Sequence, residues 1–134
     1  MNKTYINKLA LLHIENKKLL VVYARGRDQW FFVGGKPDEG ETKMEALKRE
    51  VKEEVDSDIK EETLKVYGEF EAPAHGKPEG TFVRTYVYTG ALVSEPKPSA
   101  EIDRIGYIGK EGLDNATVLG KIILEKLIED GLID

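Results

Sequence analysis

Glu50, Glu53 and Glu54 stand at positions i, i+3 and i+4, the spacing that puts three side chains on one face of a helix. Together they offer hard oxygen ligands, the donor set that Mg2+ and Mn2+ prefer. The surrounding charge points the same way. From Asp38 to Glu62 the chain holds eleven acids and five bases, net −6, while the rest of the 134 residues is net +1. The plain alternative is a solvated acidic surface. Such surfaces normally alternate in sign, because like charges at i, i+4, here Glu50 and Glu54, cost a helix about 0.2–0.5 kcal/mol. Just upstream, Gly34-Gly35 and Gly40 let the backbone approach a ligand closely. A loop wrapped against the helix can then add carbonyl oxygens to the carboxylates.

The elements that must hold these groups follow from the local pattern. Residues 42–56 read as the helix. Thr42 is a suitable N-cap with Glu45 three residues on, as in a capping box, and the helix is expected to end near Asp56. Met44, Leu47, Val51 and Val55 form its apolar stripe. Ala46 falls one turn before Glu50 on the acidic side, where a small residue leaves room. "INKLALLHI", "LLVVYAR" and "WFFV" read as strands, the last of them buried. "TLKVYGEFEAPAH" and "TFVRTYVYTGALV" read as an antiparallel pair joined by the turn "GKPEG". "EIDRIGYIG" is a last strand. "NATVLGKIILEKLIEDG" is an amphipathic helix closed by Gly131. The expected class is α+β, a mixed β-sheet between helices in an α/β/α sandwich, with residues 1–134 forming one domain.

Composition narrows the function. No apolar run approaches the roughly 20 residues of a membrane span. The formal net charge of −5 gives nucleic acid no basic field to meet, so a polymeric nucleic acid partner is not expected. Without cysteine the chain has no disulfides or thiolate ligands, which fits a cytoplasmic location. A monomer and a homodimer are both compatible with the sequence.

Gly35, five residues, Glu41, seven residues, then "REVKEE" from Arg49 to Glu54 resembles the motif of the Nudix hydrolases. The resemblance is sharpest over residues 34–57. The order of elements from about Lys3 to Leu132 also fits. It implies a Nudix-type fold and a Mg2+-dependent (or Mn2+-dependent) hydrolase that cleaves the pyrophosphate bond of a nucleoside diphosphate linked to another group. It implies that Glu50, Glu53 and Glu54, with the Gly35 carbonyl, carry the metal. Arg49 would pair with Glu41 and hold the loop on the helix, and Glu53 would serve the chemistry directly. Two positions depart from the pattern. Asp56 stands where the family usually has Gly, and Ser57 where it has an aliphatic residue. Both touch helix termination rather than metal ligation.

Other candidates keep two readings each. Glu101 follows the loop "SEPKPSA", where similar enzymes often place a further glutamate, and it also reads as an exposed strand-edge acid. Arg25 and Arg27 are either phosphate contacts or exposed loop arginines. Arg84 reads as solvent-facing rather than reaching the site, the aromatic run Trp30–Phe32 reads as core rather than as a base-stacking platform, and His13 and His75 have no metal-ligand spacing and are assigned no role. Asn115 resembles the asparagine with which MutT-like oxidised-guanine triphosphatases read the purine edge. It also reads as the N-cap of a helix beginning at Ala116. The substrate expected is a nucleoside triphosphate, including an oxidised purine form. The alternatives are ADP-ribose or another sugar nucleotide, or a non-catalytic ligand-sensing Nudix module.

Overall fold

The structure is a computed structural model that describes residues 2–134. Seven strands and two helices run in the order β1 (Thr4–Leu12), β2 (Ile14–Glu15), β3 (Lys18–Ala24), β4 (Trp30–Gly35), α1 (Lys43–Val55), β5 (Ile59–Pro73), β6 (Thr81–Leu92), β7 (Ile102–Ile108) and α2 (Val118–Glu129). A 3₁₀ turn, Lys110–Asn115, precedes α2. The sheet order is β2-β3-β4-β1-β6-β5, with β7 also paired to β3. All pairs are antiparallel except β1 with β6, which is parallel and makes the sheet mixed.

Strand alternation divides the sheet between the two helices. Leu9 and Leu11 of β1 pack with Leu47, Val51 and Val55 of α1. Ala10 and Leu12, pointing the other way, pack with Ile123, Leu124 and Leu127 of α2. The result is the expected helix–sheet–helix sandwich.

Helix α1 forms as its sequence requires. Thr42 Oγ1 accepts from the Glu45 amide at 3.1 Å, and the Glu45 carboxylate accepts from the Thr42 amide at 2.9 Å, a complete capping box. The helix ends at Asp56, which adopts the left-handed conformation (φ 54°, ψ 45°) that glycine fills more cheaply. Ser57 is fully buried: its hydroxyl donates to the Asp58 carbonyl at 2.9 Å and accepts from the Ser94 amide at 3.1 Å. A hydroxyl is thus tolerated in place of an aliphatic side chain because Ser94, just beyond the end of β6, supplies its partner.

Four details differ from the sequence reading. Ala46 is wholly buried against the sheet rather than leaving room beside the glutamates. Within β4, Trp30 is buried but Phe31 is 42% exposed, because adjacent residues of a strand face opposite ways. β5 begins at Ile59, well before Thr63. Finally, α2 is capped by Thr117, whose side chain accepts from the Gly120 amide at 3.0 Å, so Asn115 is not its N-cap. Asn115 instead ends the 3₁₀ turn. Its amide donates to the Asp28 carbonyl at 2.8 Å, a partner supplied by the β3–β4 turn.

Candidate active site

Two glycines at the end of β4 let α1 lie tight against the sheet. A Cβ on Gly35 would stand 2.7 Å from the Glu50 carboxyl carbon, and one on Gly34 would run into the Leu9 carbonyl. Only glycine at position 35 leaves the Glu50 carboxylate its place over the strand. The Gly34 amide donates to Glu54 at 2.9 Å, which ties the helix to the same strand end.

Arg49 spends its donors on the surrounding loop and helix. Nε and Nη2 donate to the two Glu41 oxygens at 2.8 and 3.0 Å, the bidentate arrangement that a guanidinium and a carboxylate share. Nη2 also reaches the Lys36 carbonyl at 3.0 Å. Nη1 donates to Glu50 at 2.8 Å and to Glu53 at 3.2 Å. Glu41 in turn accepts from the Asp38 amide at 2.7 Å. The side chain thus fastens the glycine-containing loop to α1 from below. The Arg49 hydrogen bond, then the Asp38 amide, holds the Glu41 carboxyl below the usual glutamate range.

The three glutamates differ in environment. Burial is the main cause that pushes Glu54 up to about 8, reinforced by the charges of Glu50 and Glu53 and opposed by the Gly34 amide. Burial also raises Glu50, partly offset by Arg49. Glu53 is the open one, its side chain 51% exposed against 16% for Glu50. Among the described residues no three acidic or imidazole groups close into a ready metal cage, because Glu50 and Glu53 are turned onto Arg49 and Glu54 onto Gly34. The residues nevertheless fit a divalent cation. They are hard oxygen donors, side by side, and one of them, the half-buried Glu54, has its carboxyl raised by burial and by its neighbours' charges, which a cation would offset.

These glutamates line one part of a cleft of about 900 Å3. Gly34, Gly35 and Glu101 line it with them. Arg25 and Arg27 do not. Both are exposed and border a smaller recess next to it, which shares Ala24, Ala100 and Glu101 with the cleft. The Arg25 amide donates to the Glu101 carbonyl at 3.0 Å. Asn115 is absent from the lining, its amide committed to Asp28. Arg84 lies elsewhere, paired with Glu71 at 2.9 Å and stacked on the Tyr5 ring at 3.7 Å. Sequence reasoning did not single out Lys8, Thr85 or the first turn of α2, and it read Phe31 as core and gave His75 no role, yet all of these line the cleft. Lys8 carried a signal, since it shares a face with Ala10 and Leu12 in a strand that is wholly apolar from Leu9 onward.

A family model for the NUDIX domain matches residues 7–120. The chain belongs to the NUDIX family. No curated protein matches it, but solved structures with the Nudix fold do. The Escherichia coli dihydroneopterin triphosphate pyrophosphohydrolase superposes with a TM-score of 0.73 at 21% identity, over 97% of this chain and 99% of that one. The MutT protein of Methanosarcina mazei Go1 gives 0.73 at 20% identity, over 98% of both chains. A UDP-X diphosphatase gives 0.76 at 18% identity, over 98% of this chain and 66% of the other. The Nudix chain described here is a pyrophosphohydrolase of that family, and Nudix hydrolases generally use divalent metal ions. No helix among its described residues is long and apolar enough to cross a membrane.

Proposed function

We propose that this Nudix hydrolase cleaves a pyrophosphate bond in a nucleoside triphosphate, releasing the monophosphate and pyrophosphate, with Mg2+ or Mn2+ as cofactor. The observation that carries the reading is the half-buried, charge-crowded Glu54 beside Glu50 and Glu53 in a nucleotide-sized cleft. Glu50, Glu53, Glu54 and the Gly35 carbonyl would hold the metal. When bound, the metal would neutralise the diphosphate oxygens and lower the pKa of the attacking water.

The chain's own residues do the rest. Arg49 positions Glu50 and Glu53 and keeps the loop on the helix through Glu41. Glu53, the most open of the three, would take a proton from water, and Glu101, which lines the same cleft, would be a second acceptor. Arg25 and Arg27, at the recess beyond Glu101, would meet the outer phosphates of the substrate. Most of the rate acceleration comes from positioning and charge neutralisation.

The test is turnover of GTP, dGTP, 8-oxo-dGTP, ADP-ribose and a UDP-sugar with Mg2+ or Mn2+, followed by product analysis in 18O-labelled water. Triphosphates are expected to give monophosphate and pyrophosphate. Activity should vanish with EDTA and return with either metal, and activity that survives thorough chelation overturns the metal role. Turnover of ADP-ribose or the UDP-sugar alone would assign a sugar nucleotide substrate. Tight binding without hydrolysis of any of them would assign a ligand-sensing module.

A further inference from the structure

Among the described residues, Thr85 is the one polar residue lining the cleft that the fold buries almost completely: it is 4% exposed. Its neighbours are apolar on three sides. Val83 and Val87 share its face of β6, and Phe70 stands directly opposite in β5. Lys8, opposite in β1, is exposed at the rim. Ala10, Phe32 and Leu119 continue the wall on the α2 side. No partner among the described residues hydrogen-bonds the Thr85 hydroxyl. Nor is it walled in, since His13 Nδ1 is the sole enclosed side-chain atom left without a partner. The hydroxyl therefore opens onto the cleft. Strand register gives its distance from the glutamates' end. Gly35 pairs with Leu9 of β1, and Leu9 with Tyr86 of β6, the residue after Thr85. Two strand spacings, about 10 Å, separate Thr85 from Gly35. The two face opposite sides of the sheet, and the cleft reaches both because β4 ends at Gly35.

We infer that the Thr85 hydroxyl is the contact by which the cleft holds the nucleobase, and that the chain hydrolyses nucleoside triphosphates of all four common bases with little preference among them. This rests on the nucleotide reading above. With the phosphates at the glutamates, the sugar bridges the intervening distance and the base enters the apolar lobe, whose walls suit a flat ring better than a hydrated phosphate. A hydroxyl carries one donor and two acceptor sites and rotates to offer either. Amino and keto edges are therefore served alike. Strong discrimination needs a buried group that the wrong base leaves unpaired. The other polar side chains of this lobe, Lys8, His75 and Thr117, are exposed, so water replaces any bond that a base fails to make.

The experiment compares kcat and KM for ATP, GTP, CTP, UTP and dGTP with Mg2+ in the wild type, Thr85→Val and Thr85→Ser. Inhibition by inorganic tripolyphosphate, which has no base, and binding of the four nucleoside monophosphates are measured alongside. The wild type is expected to use the four ribonucleotides within about 10-fold of one another in kcat/KM. Thr85→Val, which keeps the side chain's shape, should raise KM for all five substrates by about 3- to 10-fold. It should leave kcat, tripolyphosphate inhibition and the melting temperature little changed, and Thr85→Ser should keep the wild-type KM. Wild-type KM values in Thr85→Val overturn the inference. Equal weakening of tripolyphosphate also overturns it, placing the hydroxyl on a phosphate. So does an effect confined to the ribonucleotides and absent from dGTP, which would place it on the sugar. A wild-type preference for one base well beyond 10-fold overturns the expected tolerance. Thr85-dependent binding of the monophosphates without hydrolysis would uphold the contact while removing the proposed reaction. If no nucleotide binds at all, the inference falls together with the reading it rests on.

Discussion

Gly35→Ala separates the requirements of the site from those of the fold. The new Cβ would stand 2.7 Å from the Glu50 carboxyl carbon and 2.8 and 2.9 Å from its oxygens. Ordinary contact begins near 3.4 Å, so the carboxylate must retreat by about 0.5–1 Å, within reach of a rotation about its terminal bonds. That movement costs the fold little. Gly35 does not have positive φ, so alanine fits its backbone and gains about 0.4–1 kcal/mol from a less flexible unfolded chain. Metal ligation is far less tolerant, because ligand distances hold to within about 0.2 Å. A displaced ligand of this kind is expected to weaken metal affinity by about 10- to 100-fold. The assay is a Mg2+ titration of hydrolysis at saturating nucleotide, paired with thermal unfolding of the metal-free protein. The expected variant melts at or slightly above the wild-type temperature, needs much more Mg2+, and recovers most of its rate when Mg2+ saturates. Wild-type metal dependence with alanine in place would refute the reasoning, since the Glu50 carboxylate cannot occupy its present position beside a methyl group.

Three other outcomes follow from the same geometry. Glu53→Gln and Glu54→Gln should each lower kcat by at least 100-fold while the melting temperature of the metal-free protein holds or rises, because each amide keeps the side chain's size and takes an ionisable carboxyl out of a crowded acidic cluster; a near-wild-type rate for both would reduce the acidic face to solvated surface. Arg49→Ala and Glu41→Gln should each slow hydrolysis, and their effects should be clearly less than additive in a double-mutant cycle, because both act through one bidentate contact; full additivity would contradict the clamp. Asp56→Gly should raise stability by about 0.5–1 kcal/mol by relieving a left-handed aspartate, measured as a higher denaturation midpoint at unchanged m-value; a lower midpoint would mean that the aspartate side chain contributes a favourable contact.

What the sequence disclosed, and what it withheld, divides along the distance over which each feature is determined. The start of α1, its apolar stripe and its C-terminal residue depend on neighbours within one or two turns. Thr42, Glu45, Leu47, Val51, Val55 and Asp56 could therefore be read directly. The arrangement of Arg49 and Glu41 needed the family resemblance, because the loop between them closes on itself only once the glycines turn it. Asn115 shows the opposite case. Two residues able to cap a helix, Asn115 and Thr117, lie close together, and the choice between them was made by the Asp28 carbonyl, contributed by a turn remote in sequence. Lys8 was hidden for a related reason. Its facing follows from strand alternation, but whether that face is covered or bare depends on where α2 comes to rest.

The parallel ladder between β1 and β6 also constrains how the molecule assembles. It joins Thr4 to Thr81 and Leu12 to Thr89, partners separated by most of the chain. Neither can pair until the chain between them is compact, so the entropy of closing that long loop is spent before any ladder bond rewards it. The β5–β6 hairpin and the capped α1, both local, can form first, leaving β1 to dock late in the middle of the sheet. Because β1 carries the carbonyl that packs on Gly34 and the lysine that faces the cleft, the two ends of the cleft are completed in the same late step. Folding is therefore expected on the millisecond-to-second scale of non-local β topologies rather than in microseconds. A chain released before residue 89 has emerged would still lack the end of the strand against which its first strand must lie.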